Sequence, residues 1–199
     1  RGEDQQTLAG LYDELVAVDG GRPDPARRML LGRIAEFLER PADALAWYRG
    51  VPGGPERAEA RIRSAVALYE LGRTEEAWAE AHALQNDAAS DDQARRNAYL
   101  LEGELRQRGE DAAGEIDALS RGLAAYPDDS ALLYARALAW ERQDRIERTE
   151  ADLRKVLVAD PENVAALNAL GYTLADRTQR YREALEMIDR ARTAEPDNA

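Results

Sequence analysis

The chain has 199 residues, and its 39 acidic and 27 basic side chains give a formal net charge of −12. Binding of nucleic-acid phosphates rests on clustered positive charge, so this balance argues against a nucleic-acid partner. The absence of cysteine excludes disulfide bonds and thiolate metal sites, and no run of about 18 apolar residues indicates a membrane-spanning helix.

Helical periodicity begins near the N-terminus, in the segment DQQTLAGLYDELVAV. Its apolar residues Leu8, Leu11, Leu15 and Val16 recur at the spacing of one helix face. Strand-forming residues are scarce throughout the chain, whereas Ala, Leu, Glu and Arg abound, which predicts an all-α protein. Because the chain starts at Arg1 without a methionine, we interpret it as an excised piece whose residues 1–20 form the second helix of a truncated preceding unit.

Small residues recur in pairs along the rest of the chain, one in each of two consecutive predicted helices. The first-helix positions are Gly32, Ala65, Glu102, Ala137 and Gly171, and the second-helix positions are Ala44, Ala77, Gly114, Thr149 and Ala184. Glu102 breaks the rule, with Gly103 beside it. Antiparallel helices joined by a short turn approach closely only where a small residue leaves room, so the pattern predicts helix-turn-helix units.

Proline and capping residues mark the limits of these units. Pro127, Pro161 and Pro196 each follow an apolar helix end, where proline stops a helix. In the PDP segment at residues 23–25, Asp24 is predicted to cap a helix with Pro25 in its first turn. The whole chain is then one solenoid fragment, with residues 1–20 followed by repeats at 25–54, 57–90, 92–127, 129–161 and 163–196.

The last unit keeps a fixed order of residues, namely Leu167, Leu170, Gly171, Leu174, Tyr181, Ala184, Ala191 and Pro196. This order resembles the tetratricopeptide repeat, a helical hairpin of roughly 34 residues. The fourth unit follows the same pattern except that Arg136 replaces the usual leucine. The resemblance covers residues 25–199 and implies an all-α, right-handed superhelix (α-solenoid) of about five helix-turn-helix units plus an N-terminal helix.

A narrower resemblance rests on LLGRIAEFLERPADALAWYRGV, on the tract from Leu132 to Leu185, and on their order. These tracts are similar to the proteobacterial outer-membrane tetratricopeptide lipoproteins, and within them to the adaptor of a periplasmic carboxy-terminal processing protease. The resemblance implies a location at the periplasmic face of the outer membrane, with a lipid anchor upstream of Arg1. It also implies two kinds of protein partner, the protease and the cell-wall (peptidoglycan) hydrolases presented to it.

Tetratricopeptide repeats bind protein segments on the concave face lined by their first helices. The outward positions of those helices, counted from the repeat pattern, give the candidate protein-binding residues Met29, Arg33, Arg63, Tyr69, Tyr99, Arg106, Tyr134, Leu138, Asn168 and Tyr172. Tyr and Arg flanked by apolar residues suit an interface, although each tyrosine could equally pack between adjacent units. The carboxylate clamp of chaperone-binding repeats is matched only by Asn168, so that mode of binding is not expected.

Nothing in the sequence indicates catalysis or a cofactor. His82 is the only histidine and lacks the companions that a metal site or a catalytic triad requires, and the glycine pairs at 20–21 and 53–54 lie in linkers. Trp47, Trp78 and Trp140 are assigned to packing. The sequence therefore predicts a non-enzymatic protein without catalytic, metal-binding or cofactor-binding residues.

Residues 21–64 hold nine arginines against six acidic residues, which is either a compositional bias or a docking surface. Two other functions stay open at this stage: a scaffold for assembly of a secretion, pilus or exopolysaccharide machinery, and the repeat region of a larger enzyme. Because terminal repeats normally need polar caps, the chain is also expected to self-associate through apolar end-faces.

Overall fold

The computed structural model describes residues 2–18 and 24–195. All regular structure in these ranges is helical, and the helices are α1 (Gly2–Val18), α2 (Pro25–Phe37), α3 (Pro41–Arg49), α4 (Glu56–Glu70), α5 (Thr74–Gln85), α6 (Asp92–Arg108), α7 (Ala112–Ala125), α8 (Ser130–Arg142), α9 (Ile146–Ala159), α10 (Val164–Arg177) and α11 (Tyr181–Ala194). Within the described part of the chain, no helix combines the length and apolar character needed to cross a membrane. The expectations for Gly20–Gly21, Arg22, Pro23 and Pro196 lie outside the described residues.

The helices after α1 pair as α2–α3, α4–α5, α6–α7, α8–α9 and α10–α11, which confirms the prediction of an N-terminal helix followed by five hairpins. The pairs lie within the ranges expected for the repeats, except that α4 begins one residue early, at Glu56. They form two compact units, Arg1–Leu101 and Glu102–Ala199.

Side-chain caps begin several of the first helices. Asp24 accepts a hydrogen bond from the Arg27 backbone N–H at 2.8 Å, and Pro25 follows in the first turn, as the sequence predicts. Asp129 and Asn163 cap α8 and α10 in the same way. These caps stabilise the start of each helix by satisfying backbone N–H groups that have no partner within the helix.

One core cluster of the N-terminal unit lies where α1, α2 and α3 meet. Leu31, Ala44 and Tyr48 are buried there, and Leu15 of α1 packs against this cluster. Gly32 is in direct contact with Tyr48, since a Cβ atom at residue 32 would lie 2.3 Å from Cε1 of the tyrosine ring. The small residue expected at this position is therefore what lets α2 and α3 approach.

The C-terminal unit uses the same device in α10 and α11. A Cβ atom at Gly171 would lie 2.7 Å from Cγ1 of Ile188 and 3.2 Å from the Ala184 carbonyl oxygen. In the third hairpin the close approach falls to Gly103, whose added Cβ would meet Leu119 at 3.0 Å. The small residue that the repeat pattern places at position 102 is therefore supplied by Gly103. Position 102 itself holds Glu102, a fully buried carboxylate.

Candidate protein-binding surface

The first helices of the hairpins carry all the candidate binding residues, but the solvent exposure of these side chains differs. Met29 and Tyr99 are only 3% and 9% exposed, so both side chains belong to the core. Arg106 donates to Asp111 at 2.9 Å and to Glu102 at 3.3 Å. These three side chains therefore have structural roles in the described protein, and the others fall into one set on each unit.

On the N-terminal unit, α2 and α4 are joined by a ladder of ion pairs, which we call the charged ladder: Arg33, Glu36, Glu59 and Arg63. Arg33 Nη2 lies 2.7 Å from Glu59 Oε1, and Arg63 bonds both Glu36 (2.7 Å) and Glu59 (2.9 Å). Each positive charge on this face therefore has an intramolecular partner. Tyr69, the remaining candidate here, packs against Trp78 with ring centroids 5.9 Å apart.

Electrostatics tie the charged ladder to the core beneath it. Burial opposes ionisation of Glu59, but hydrogen bonds from Arg63 and Arg33 outweigh it and hold the pKa of this carboxyl below its ordinary value. Burial, and then the neighbouring Glu36 carboxylate, raise the pKa of the Tyr48 hydroxyl above its ordinary value. The tyrosine thus stays neutral below the charged ladder.

Replacing Arg63 with alanine is expected to lower the free energy of unfolding by about 1 kcal/mol at neutral pH, because two partly exposed carboxylates lose a cation. The folded-state pKa of Glu59 is lowered, so its stabilising effect is present above the unfolded pKa and is lost as the pH falls through the folded value. Urea unfolding at neutral and acid pH should therefore show the difference shrinking on acidification. Arg192→Ala, at an exposed arginine of α11, is the control and should change stability little at either pH.

Other arginines of the Arg-rich segment also have intramolecular partners. Arg61 bonds Glu80 and Asp87 at 2.8 Å each, and Arg57 donates to the backbone carbonyls of Val51 and Pro52. Arg40 lies over the Tyr12 ring, 5.6 Å from its centroid. These contacts favour a role in holding helices together over a free cationic docking surface.

On the C-terminal unit the candidate residues form an uncharged set, which we call the neutral strip: Tyr134 and Leu138 on α8, and Asn168 and Tyr172 on α10. Asn168 follows Tyr134, and Tyr172 follows Leu138, by one repeat length. The buried residues of these helices include two equivalent pairs, Leu133 with Leu167 and Ala137 with Gly171. Equivalent register and an equivalent buried face direct the four side chains to the same side of the first helices.

The side chains of the neutral strip are available for intermolecular contacts. Within the described residues, none of the four makes an intramolecular hydrogen bond or ion pair. Tyr172 is 63% exposed, and the other three are partly buried. A free amide among aromatic and apolar groups can bind a peptide: Asn168 can donate to and accept from a peptide backbone, while the tyrosines and Leu138 bury its apolar side chains.

Several features were not anticipated from the sequence. Phe37, Tyr181 and Leu185 are more than half exposed, at positions that helical periodicity alone does not distinguish from core positions. The tryptophans have the packing roles predicted for them, as Trp47 Nε1 donates to the Tyr12 hydroxyl at 2.8 Å and Arg148 lies 4.6 Å from the Trp140 ring centroid. The described ranges hold no cluster of His, Cys, Asp or Glu suited to a metal ion.

No protein-family model matches the chain. A TPR repeat-containing protein of Pseudomonas aeruginosa is 38% identical to it over 168 residues. That match covers 84% of this chain but 28% of the relative, so the chain spans less than a third of the length of the curated protein it matches. The likeness therefore concerns one part of that protein.

Solved structures of repeat proteins share the architecture. MamA superposes with a TM-score of 0.60 at 17% identity, over 86% of this chain and 92% of its own. YrrB, described as a TPR protein with an unusual peptide-binding site, superposes with a TM-score of 0.56 at 18% identity, over 94% of this chain and 93% of its own. At such low sequence identities, these structural similarities establish the fold alone.

Proposed function

Because the chain has the tetratricopeptide-repeat fold, we propose that it is a non-enzymatic scaffold that binds protein segments through the neutral strip. The observation that carries this proposal is the contrast between two equivalent faces. On the N-terminal unit the first helices carry ion pairs that are already satisfied within the molecule. On the C-terminal unit they carry Tyr134, Leu138, Asn168 and Tyr172, whose polar groups have no intramolecular partner among the described residues.

The chemistry of the neutral strip favours an uncharged, partly apolar segment over an acidic one. A protein segment lying on it would bury aromatic surface, and tyrosine is among the residues that most often dominate binding energy at interfaces. Asn168 would fix the register of the bound segment, because a shift of the segment would break the hydrogen bonds between the Asn168 side-chain amide and the segment's backbone. The neutral strip could thus select its ligand by shape and hydrogen bonding, with a weak dependence on salt.

We further propose that the partner is a carboxy-terminal processing protease at the periplasmic face of the outer membrane, with cell-wall hydrolases as the proteins delivered to it. This assignment rests on the sequence tracts that resemble outer-membrane tetratricopeptide lipoproteins. Holding enzyme and substrate on one scaffold would raise their effective local concentration to the order of millimolar. The mechanism is recruitment, without chemistry by the scaffold itself.

The test measures binding of the chain to a proteobacterial carboxy-terminal processing protease, made inactive by substitution of its catalytic residue. Tyr172→Ala is expected to raise the dissociation constant by about tenfold or more, as loss of a central aromatic anchor does. Phe37→Ala is the control, because this aromatic residue is exposed to almost the same extent (66% against 63%) but lies on α2. Calorimetry or biolayer interferometry gives both constants.

Two results would contradict these proposals in different ways. Absence of binding by a folded chain removes the protease assignment. Binding that is equally strong in the wild type, Tyr172→Ala and Leu138→Ala moves the contact surface away from the neutral strip. Asn168→Ala separates the contributions further, since it should weaken binding without removing apolar contact area.

A further inference from the structure

The outer face of α11 is exposed within the described part of the chain. Ala184, Met187 and Ala191 bury one side of the helix against the rest of the C-terminal unit. The other side exposes Leu185 (59%) and borders a groove of about 520 Å³. The groove is lined by Pro161, Glu162, Leu167, Arg182, Leu185, Glu186, Asp189, Arg190, Thr193 and Ala194.

In the preceding repeat, the equivalent face belongs to α9 and contacts the next hairpin. On α9, Glu150 is bonded by Arg180 of the next hairpin at 2.8 Å, and Arg154 pairs with Glu183. One repeat later, the positions of Glu150 and Arg154 are held by Leu185 and Asp189. The face of α11 therefore matches another helix, with an apolar side chain at the position where α9 has a charge.

We propose that this face binds the same face of a second copy, with the two α11 helices antiparallel across a two-fold axis. Arg182 and Asp189 lie equally far on either side of the midpoint between Leu185 and Glu186. An antiparallel pair centred there places Arg182 of each copy opposite the partner's Asp189, and the Leu185 side chains meet near the axis. The same register sets Tyr181 opposite the partner's Arg190, an arrangement that suits a cation–π contact.

Two of these charges, Arg182 and Asp189, are available for such contacts, whereas Arg190 already donates to the Pro161 carbonyl oxygen at 2.7 Å. Arg182 makes no ion pair within the described residues, and Asp189 has only a long contact with Arg192, at 3.5 Å. Both reciprocal pairs form at once because a two-fold interface uses the same patch twice. The face is thus self-complementary in charge as well as apolar at its centre.

A head-to-tail arrangement would fit this face poorly. Helix α1, the first helix described, carries four acidic residues and no basic residue. The groove is bordered by three acidic residues (Glu162, Glu186 and Asp189) and by two arginines, so docking α1 there would bring four acidic residues to a border of net negative charge. A two-fold arrangement also closes at two copies, whereas a head-to-tail one continues into a filament.

Sedimentation equilibrium of the isolated chain tests this dimer without any other partner, so the result is independent of the proposed protease binding. One helix pair buries less surface than a standard interface, so we expect a weak dimer. The dimer fraction should rise as the protein concentration is increased from about 10 µM to about 1 mM. Arg182→Asp and Asp189→Arg should each weaken it about tenfold or more, and the double reversal should restore it, because the pairs re-form with opposite polarity. Leu185→Asp should abolish it.

Lys155→Asp, a charge reversal at an exposed position of α9, is the control and should leave dimerisation unchanged. Far-UV circular dichroism checks that each variant is folded. The proposal would be overturned if the wild-type chain stayed monomeric over the whole concentration range or assembled beyond two copies. It would also be overturned if the Leu185→Asp variant dimerised as well as the wild type. A double reversal that remains as weak as the single ones would contradict it too. Loss of the dimer on Phe37→Asp but not on Leu185→Asp would assign the contact to the N-terminal unit instead.

Discussion

Removing both arginines that bond Glu102, in the variant Arg106→Leu/Arg121→Leu, is expected to lower the free energy of unfolding by about 3–5 kcal/mol. Glu102 is fully buried. Its two carboxylate oxygens accept from Arg121 Nη2 at 2.9 Å and from Arg106 Nη2 at 3.3 Å. The double variant removes two charge-assisted hydrogen bonds from this buried carboxylate, so less of the cost of its desolvation is offset. Urea unfolding followed by circular dichroism measures the loss.

The matched control is Arg108→Leu, which removes an arginine from the same helix. Arg108 also bonds a glutamate four residues earlier, Glu104, but both side chains are about half exposed. Exposed pairs at this spacing contribute about 0.3–0.5 kcal/mol, so the control should be almost as stable as the wild type. Equal losses in the control and the double variant would show that burial of Glu102 has no energetic consequence.

A third variant separates the cost of the buried charge from the cost of lost packing. Replacing Glu102 with leucine in the double-variant background removes the carboxylate together with its partners. Buried ion pairs exchanged for apolar residues of similar volume are often neutral in stability, so the triple variant should recover most of the loss. A triple variant as unstable as the double would attribute the loss to the arginine stems and their packing.

Glu102 also shows how far the sequence alone could predict this fold. The hairpins follow from local rules that act within each repeat: Gly32 and Gly171 leave room for a neighbouring helix, and Asp24 caps α2. A buried carboxylate follows no such rule. Its stability depends on Arg121, a residue from another helix, and sequence spacing does not show which side chains a fold brings together.

The same limit applies to the candidate binding surface. Helical register places Met29 and Asn168 at equivalent positions, three residues before Gly32 and Gly171, yet Met29 is buried and Asn168 is partly exposed. Met29 is buried because it joins the core cluster that contains Tyr12 of α1. Periodicity therefore predicts which face of a helix a residue occupies, but a neighbour distant in sequence decides whether that face is open.

Opposite changes in stability are expected when two helical glycines of the N-terminal unit are replaced by alanine. At Gly32 the new methyl group would lie 2.3 Å from Cε1 and 2.6 Å from Cζ of Tyr48, whose ring is almost fully buried. The added methyl group must displace this buried ring, so Gly32→Ala should lower the free energy of unfolding by about 1–3 kcal/mol through overpacking. This loss exceeds the gain of up to about 1 kcal/mol from better helix propensity.

Gly10→Ala gives the matched control, since Gly10 lies within α1 and an added Cβ would meet nothing within 4 Å. There the propensity term acts alone and should raise stability by up to about 1 kcal/mol. Tyr48→Leu in the Gly32→Ala background should cost less than the sum of the two single changes, because a smaller side chain makes room for the methyl group. If Gly32→Ala were instead as stabilising as Gly10→Ala, the two helices would not depend on a small residue for their close approach. In that case the recurrence of small residues along this chain would need a cause other than packing.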